Sequence, residues 1–131
     1  MPATILIIED DGASRELLRF LLHAAGHAVY LAEHGGEGLS LAALIDPDLI
    51  LCDLQMPVAD GYSVLLSLFR SAWWRNAPLI AVTAFSMRGD REKALGAGFT
   101  DYISKPIDPA TFVRQVEAWL PAPLRCAWLP Q

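Results

Sequence analysis

Four stretches of the chain are apolar at consecutive positions: ILII from Ile5, LILC from Leu49, LIAV from Leu79 and YIS from Tyr102. Consecutive rather than alternating apolar residues mark strands buried on both faces, as in a parallel sheet covered by helices. A fifth run, HAVYLA from His27, is more polar at its start and suits a sheet edge. Helical spacing fills the intervals. Leu17, Leu18, Leu21 and Leu22 share one face, with Gly26 placed to end the helix. Leu39, Ala42 and Ala43 carry a second helix that stops at Asp46 and Pro47, and Val64, Leu65, Leu68 and Phe69 mark a third. Arg91 to Leu95 predict a fourth, weakened by Gly96 and Gly98. The fifth is clearest, with Asp108 as N-cap, Pro109 in the first turn, Phe112, Val113, Val116 and Leu120 on one face, and Pro121 as stop.

The order is therefore five repeats of strand then helix. Right-handed crossovers with helices on both faces give an open, doubly wound α/β sheet, although periodicity does not set its strand order. At 131 residues the chain fits one domain able to bury a core without a disulfide or structural metal. Residues 4–120 form that domain, and 121–131, PAPLRCAWLPQ, form an irregular tail that Trp128 and Leu129 could dock.

Charge narrows the partners. There are 15 acidic and 10 basic residues, and the basic ones are scattered, which argues against direct nucleic-acid binding. Cys52 lies inside an apolar run and Cys126 far from it, without metal-ligand or redox spacing, so a reducing cytoplasm suits the chain. The N-terminal apolar stretch ends in acids after a few residues and is neither a signal peptide nor a membrane span. A 53% hydrophobic content and a mean hydropathy of +0.32 are high for a monomer without a partner.

The candidate chemistry stands at the strand ends. Glu9 and Asp10 close the first run, Asp53 the third, Thr83 the fourth and Lys105 the last. In a parallel sheet these residues share one edge. Three close carboxylates repel one another unless a cation joins them. Mg²⁺ keeps several waters and needs only one or two carboxylates and a carbonyl from the protein. Asp10 and Asp53 are the natural direct ligands, with Glu9 acting through water and the Gln55 carbonyl completing the set. Singly, each residue has a plainer role: Asp10, Asp11 or Asp53 as a helix cap, Thr83 as a strand-end residue, Lys105 as a solvated lysine. Their coincidence after separate strands points to phosphoryl transfer. Flavin binding would need a phosphate loop less acidic than EDDGAS, and Gln55 disfavours a two-aspartate phosphatase turn.

The segments ILIIEDD, LILCDLQMPVADG, LIAVTA and DYISKPI resemble, in order and spacing, the receiver domain of bacterial two-component response regulators. The resemblance runs from Ile5 to Leu120, and AVTAF, MRGD and YISKPI look most like stand-alone receivers or those of hybrid kinases. It implies a flavodoxin-like five-stranded parallel sheet of order 2-1-3-4-5 with five helices. It implies further that Asp53 is the phosphoacceptor, Glu9 and Asp10 the acid pair for Mg²⁺, Thr83 the switch hydroxyl, Tyr102 the switch aromatic, and Lys105 the phosphate-contacting cation. Pro106 is implied to follow a cis peptide bond. By the same resemblance the protein is no conventional enzyme. It takes a phosphoryl group from a histidine kinase or histidine phosphotransfer protein and signals to a downstream protein; a receiver-like docking module that is never phosphorylated is the alternative.

Some expectations are particular to this chain. The resemblance implies that Gln55 and Phe85 stand at positions flanking the path of hydrolytic water, and the Phe85 ring is expected to prolong the phosphoaspartate. Thr83 is expected to move toward the phosphoryl group and leave space for the Tyr102 ring. Trp73 and Trp74, being adjacent, cannot both face one core. Trp119 and Leu120 place a possible homodimer contact on the last helix. With no output domain after Leu120, output is expected through protein contact, or the chain is a relay component or an excised receiver of a larger protein; Met1 slightly favours the stand-alone reading.

Overall fold

A computed structural model describes residues 2–56, 60–84, 89–121 and 124. Strands and helices alternate as β1 (Thr4–Ile8), α1 (Gly12–Ala24), β2 (Ala28–Ala32), α2 (Gly35–Ile45), β3 (Leu49–Cys52), α3 (Gly61–Phe69), β4 (Leu79–Thr83), α4 (Asp90–Ala97), β5 (Asp101–Ser104) and α5 (Phe112–Glu117). All strand pairs are parallel, in the order β2-β1-β3-β4-β5. The chain winds outward in opposite directions from β1 and β3, so a crevice opens between their C-terminal ends.

The unbroken apolar runs are explained by two cores, one on each face of the sheet. Ile5 and Ile7, Leu49 and Leu51, and Ile80 and Val82 point toward α1 and α5, where Leu18, Leu22, Phe112 and Val116 meet them. Their neighbours Leu6, Ile8, Ile50, Cys52 and Ala81 point to the other face, against Ala42, Val64, Leu65, Leu68 and Ala94 of α2, α3 and α4. Strand alternation thus places every apolar position of β1, β3 and β4 against one core or the other. β2 pairs with β1 alone and forms the edge, as its more polar start predicted.

Two helix boundaries differ from the spacing. α4 extends to Ala97 and absorbs Gly96, and it closes at Gly98, whose φ of +127° a side chain rarely adopts. α5 is shorter than expected, because the helix proper starts at Phe112 instead of beside Asp108. Asp108 instead caps the lead-in turn: its carboxylate accepts the Ala110 N–H (3.0 Å) and its carbonyl the Phe112 N–H (3.0 Å). Trp73 is exposed and Trp74 half-buried after α3, their rings edge-on at 6.1 Å.

A buried polar staple fastens the sheet edge opposite the crevice. The Ala3 N–H donates to His27 Nδ1 (3.0 Å), and His27 Nε2 lies 2.5 Å from Glu117 Oε2 of α5. With Nδ1 accepting, Nε2 carries the proton and donates to the carboxylate. Both side chains are buried, so α5 is tied to the starts of β1 and β2 by a bond sheltered from water.

Candidate functional site

Glu9 continues β1 past its last residue, and its N–H bonds the Ala32 carbonyl of β2 (3.0 Å). Its carboxylate is buried, whereas that of Asp10 is exposed. Asp11 does not join them: it caps α1, accepting the Ser14 N–H at 2.9 Å, a bond that holds its carboxyl below the usual range. The capping role open to Asp10 from sequence therefore belongs to Asp11, and Asp10 faces the crevice. Asp53 is likewise no cap, since Asp60 caps α3 through the Ser63 N–H (2.9 Å).

Asp53 ends β3 with its N–H on the Ile8 carbonyl (3.0 Å). One carboxylate oxygen accepts the Gln55 N–H (2.9 Å) and the other the Lys105 ammonium (3.2 Å). The Lys105 N–H bonds the Thr83 carbonyl (2.9 Å) at the end of β4, and the Lys105–Pro106 peptide bond is cis. Lys105 Nζ also lies 2.6 Å from Glu9 Oε1. α3 comes close because Gly61 has no side chain: a Cβ there would sit 2.8 Å from the Asp53 carbonyl oxygen.

The electrostatics follow from burial. Burial pushes Glu9 up to about 7, outweighing its bond to Lys105, and the neighbouring Asp53 adds to the rise. Burial disfavours the Lys105 ammonium, but its bonds to Glu9 and charge attraction to Asp53 prevail and hold it above the ordinary lysine value. Desolvation raises the Cys52 thiol strongly, and its S–H donates to the Asp53 carbonyl at 3.4 Å, so Cys52 is a packing residue. Glu9, Asp10 and Asp53 each offer an oxygen within 4.8 Å of the others'. One lysine for three converging carboxylates leaves a deficit of positive charge, and an all-oxygen set suits a hard divalent cation.

Thr83 is fully buried at the end of β4. Tyr102 is buried, in the core cluster that also contains Leu65 and Ala94. Its hydroxyl makes no well-formed hydrogen bond among the described residues, and the Ser104 side chain interacts with it only weakly. Phe85, expected to tune hydrolysis, lies outside the described residues, as do Trp128 and Leu129 of the tail. Trp119 is exposed, and its indole N–H bonds Asp101 at 2.9 Å. Beside Lys105 an open groove of about 480 Å³ runs between α1 and the proline turn, lined by Ala13, Leu17, Pro106 and Ile107.

Arg15 escaped sequence reasoning. It donates to the carbonyls of Glu9 and Asp10 and pairs with Glu33, yet in the sequence it is one of several polar residues on an amphipathic helix.

Comparison with known proteins decides the family. The model of the response regulator receiver domain family matches residues 5–117. The chain belongs to that family. A polar-differentiation response regulator DivK of Brucella anthropi is 39% identical over 120 residues, covering 92% of this chain and 98% of the relative. The receiver domain of the sensor histidine kinase PA1611 from Pseudomonas aeruginosa, solved with a magnesium ion in its active-site cleft, aligns with a TM-score of 0.81 at 34% identity, over 91% of this chain and 98% of that one. The chemotaxis protein CheY4 of Vibrio cholerae shares the fold, with a TM-score of 0.84 at 24% identity over 92% and 100% of the two chains. As a receiver, the chain has a phosphoacceptor role in two-component signalling, and its acidic cluster is of the kind that binds Mg²⁺. Among the described residues no helix is long and apolar enough to cross a membrane.

Proposed function

We propose that Asp53 accepts a phosphoryl group from a phosphohistidine on a kinase or phosphotransfer protein and that the resulting charge changes the partner-binding face. The observation that carries this reading is the convergence of Asp53, Lys105, Glu9 and Asp10 from three strand ends. An Asp53 carboxylate oxygen forms the bond to phosphorus as the donor's N–P bond breaks, and the leaving imidazole takes a proton from solvent. Lys105 pairs with an oxygen of the new phosphoryl group, and the Thr83 hydroxyl, once it has moved toward the site, donates to another. Asp10, Asp53 and the Gln55 carbonyl would hold Mg²⁺ with Glu9 through water. When bound, Mg²⁺ neutralises charge between the carboxylate and the incoming phosphoryl group.

The donor protein reaches Asp53 by way of the groove beside Lys105, and Tyr102 and α5 carry the change to a downstream protein or a second copy of the chain. The setting is cytoplasmic. Gln55 and Phe85 tune hydrolysis, so phosphate loss as fast in the parent as in Phe85→Ala would refute the slowing assigned to that ring.

The test is incubation with Mg²⁺ and acetyl phosphate followed by intact mass. A gain of one phosphoryl group that needs both the metal and Asp53, and is absent in Asp53→Asn, is expected. A folded protein that binds Mg²⁺ and gains nothing would make the chain a docking module.

A further inference from the structure

We infer that Arg15 is a positioning residue for the cation site: its guanidinium sets the backbone of the Glu9–Asp10 loop so that the Asp10 carboxylate is aimed beside Asp53 before any cation arrives. The inference rests on the cation site proposed above and assigns a role to a residue outside it.

The Asp10 carboxylate needs an external reason for its aim, because among the described residues no hydrogen bond holds it. Its direction is set by the backbone that carries it. Upstream, the Glu9 N–H is tied to the Ala32 carbonyl at 3.0 Å. Downstream, Asp11 is committed to capping α1. Between these fixed points stand the carbonyls of Glu9 and Asp10, and Arg15 Nη1 donates to both, at 2.9 Å and 3.4 Å. Nη2 reaches across to Glu33, just past β2, at 3.3 Å.

The anchor is unequal at its two ends. The Arg15 side chain is 17% exposed and that of Glu33 69%, so the bond to the Glu9 carbonyl is the sheltered one, while the longer bond to the Asp10 carbonyl and the ion pair face solvent. The planar fork matters here. A guanidinium can serve two carbonyls and a carboxylate in fixed directions, whereas an ammonium on a flexible stem supplies the charge without that geometry. Outer groups that orient metal ligands are worth about 10–100-fold in metal affinity.

The experiment is calorimetric titration of MgCl₂ into the parent chain, Arg15→Ala, Arg15→Lys, Glu33→Ala and Asp53→Asn, each shown folded by circular dichroism. Arg15→Ala and Arg15→Lys are expected to weaken Mg²⁺ binding by about tenfold or more, and Glu33→Ala by less than about threefold. Parent-like affinity in Arg15→Lys would assign the effect to charge and overturn the positioning role; where Arg15→Ala does not fold, Arg15→Lys decides. Parent-like affinity in Arg15→Ala would overturn it outright. A parent chain without Mg²⁺ binding sensitive to Asp53→Asn would overturn the cation site itself, a failure distinguishable from the other two.

Discussion

The Lys105 ammonium lies 2.6 Å from Glu9 and 3.2 Å from Asp53, joining the end of β5 to the ends of β1 and β3. The same positive charge that can receive a phosphoryl oxygen occupies the carboxylates that a cation would use. Lys105→Ala therefore has two effects of opposite sign. Acetyl-phosphate labelling of Asp53 falls by about tenfold or more, because a preset charge partner of the phosphoryl group is gone. Mg²⁺ binds more tightly, because the carboxylates lose a competitor, and calorimetry would read that gain. Weaker Mg²⁺ binding in Lys105→Ala would show that the lysine organises the cluster instead of competing for it.

Glu9 makes stability depend on pH. Its carboxyl is raised from 4.5 to about 7 by burial, so folding favours the protonated form. The stabilisation is complete below pH 4.5 and is lost as pH rises through 7, a loss on the order of 3 kcal/mol. Urea unfolding in the presence of a chelator is expected to show this decline in the parent chain and a flatter profile in Glu9→Gln. Profiles of equal slope would mean that the Lys105 pair keeps Glu9 ionised throughout.

The His27–Glu117 bond is predicted to matter for stability and not for the site. Glu117→Ala leaves a buried imidazole N–H without its carboxylate, at a cost of about 2 kcal/mol. His27→Ala costs a similar amount, and the double variant costs less than the sum, since both remove one interaction. Denaturant unfolding measures all three, while Mg²⁺ affinity is expected to stay at the parent value.

Tyr102→Phe removes a buried hydroxyl that makes no well-formed hydrogen bond among the described residues. The variant is expected to be more stable by about 1 kcal/mol, with Asp53 labelled at the parental rate. A loss of stability in Tyr102→Phe would reveal a hydrogen bond made by that hydroxyl in solution.

Much of this was legible because it depended on short-range pattern. The doubly apolar runs ILII, LILC and LIAV are what strands with helices on both faces require, and the residues that close them stand at one edge of any parallel sheet. The cap of α1 was legible only as a choice among neighbouring acids, since each could serve, and the packing of the loop selected Asp11. The lead-in to α5 shows the same limit: Asp108 does cap a turn, but where helical geometry begins is settled by how Phe112 seats in the core.

The sequence by itself determined the alternation of elements, the two-sided burial of the central strands and the set of acids and lysine at their ends, because these follow from local periodicity and position. The tertiary structure alone decided which groups touch. Glu9 and Lys105 are 96 residues apart and His27 and Glu117 are 90 apart, separations over which no periodicity acts. The buried seat of Tyr102 and the reach of Arg15 to two carbonyls are likewise set by packing across elements. Burial, and with it the raised Glu9 carboxyl, exists only once the sheet has closed over it.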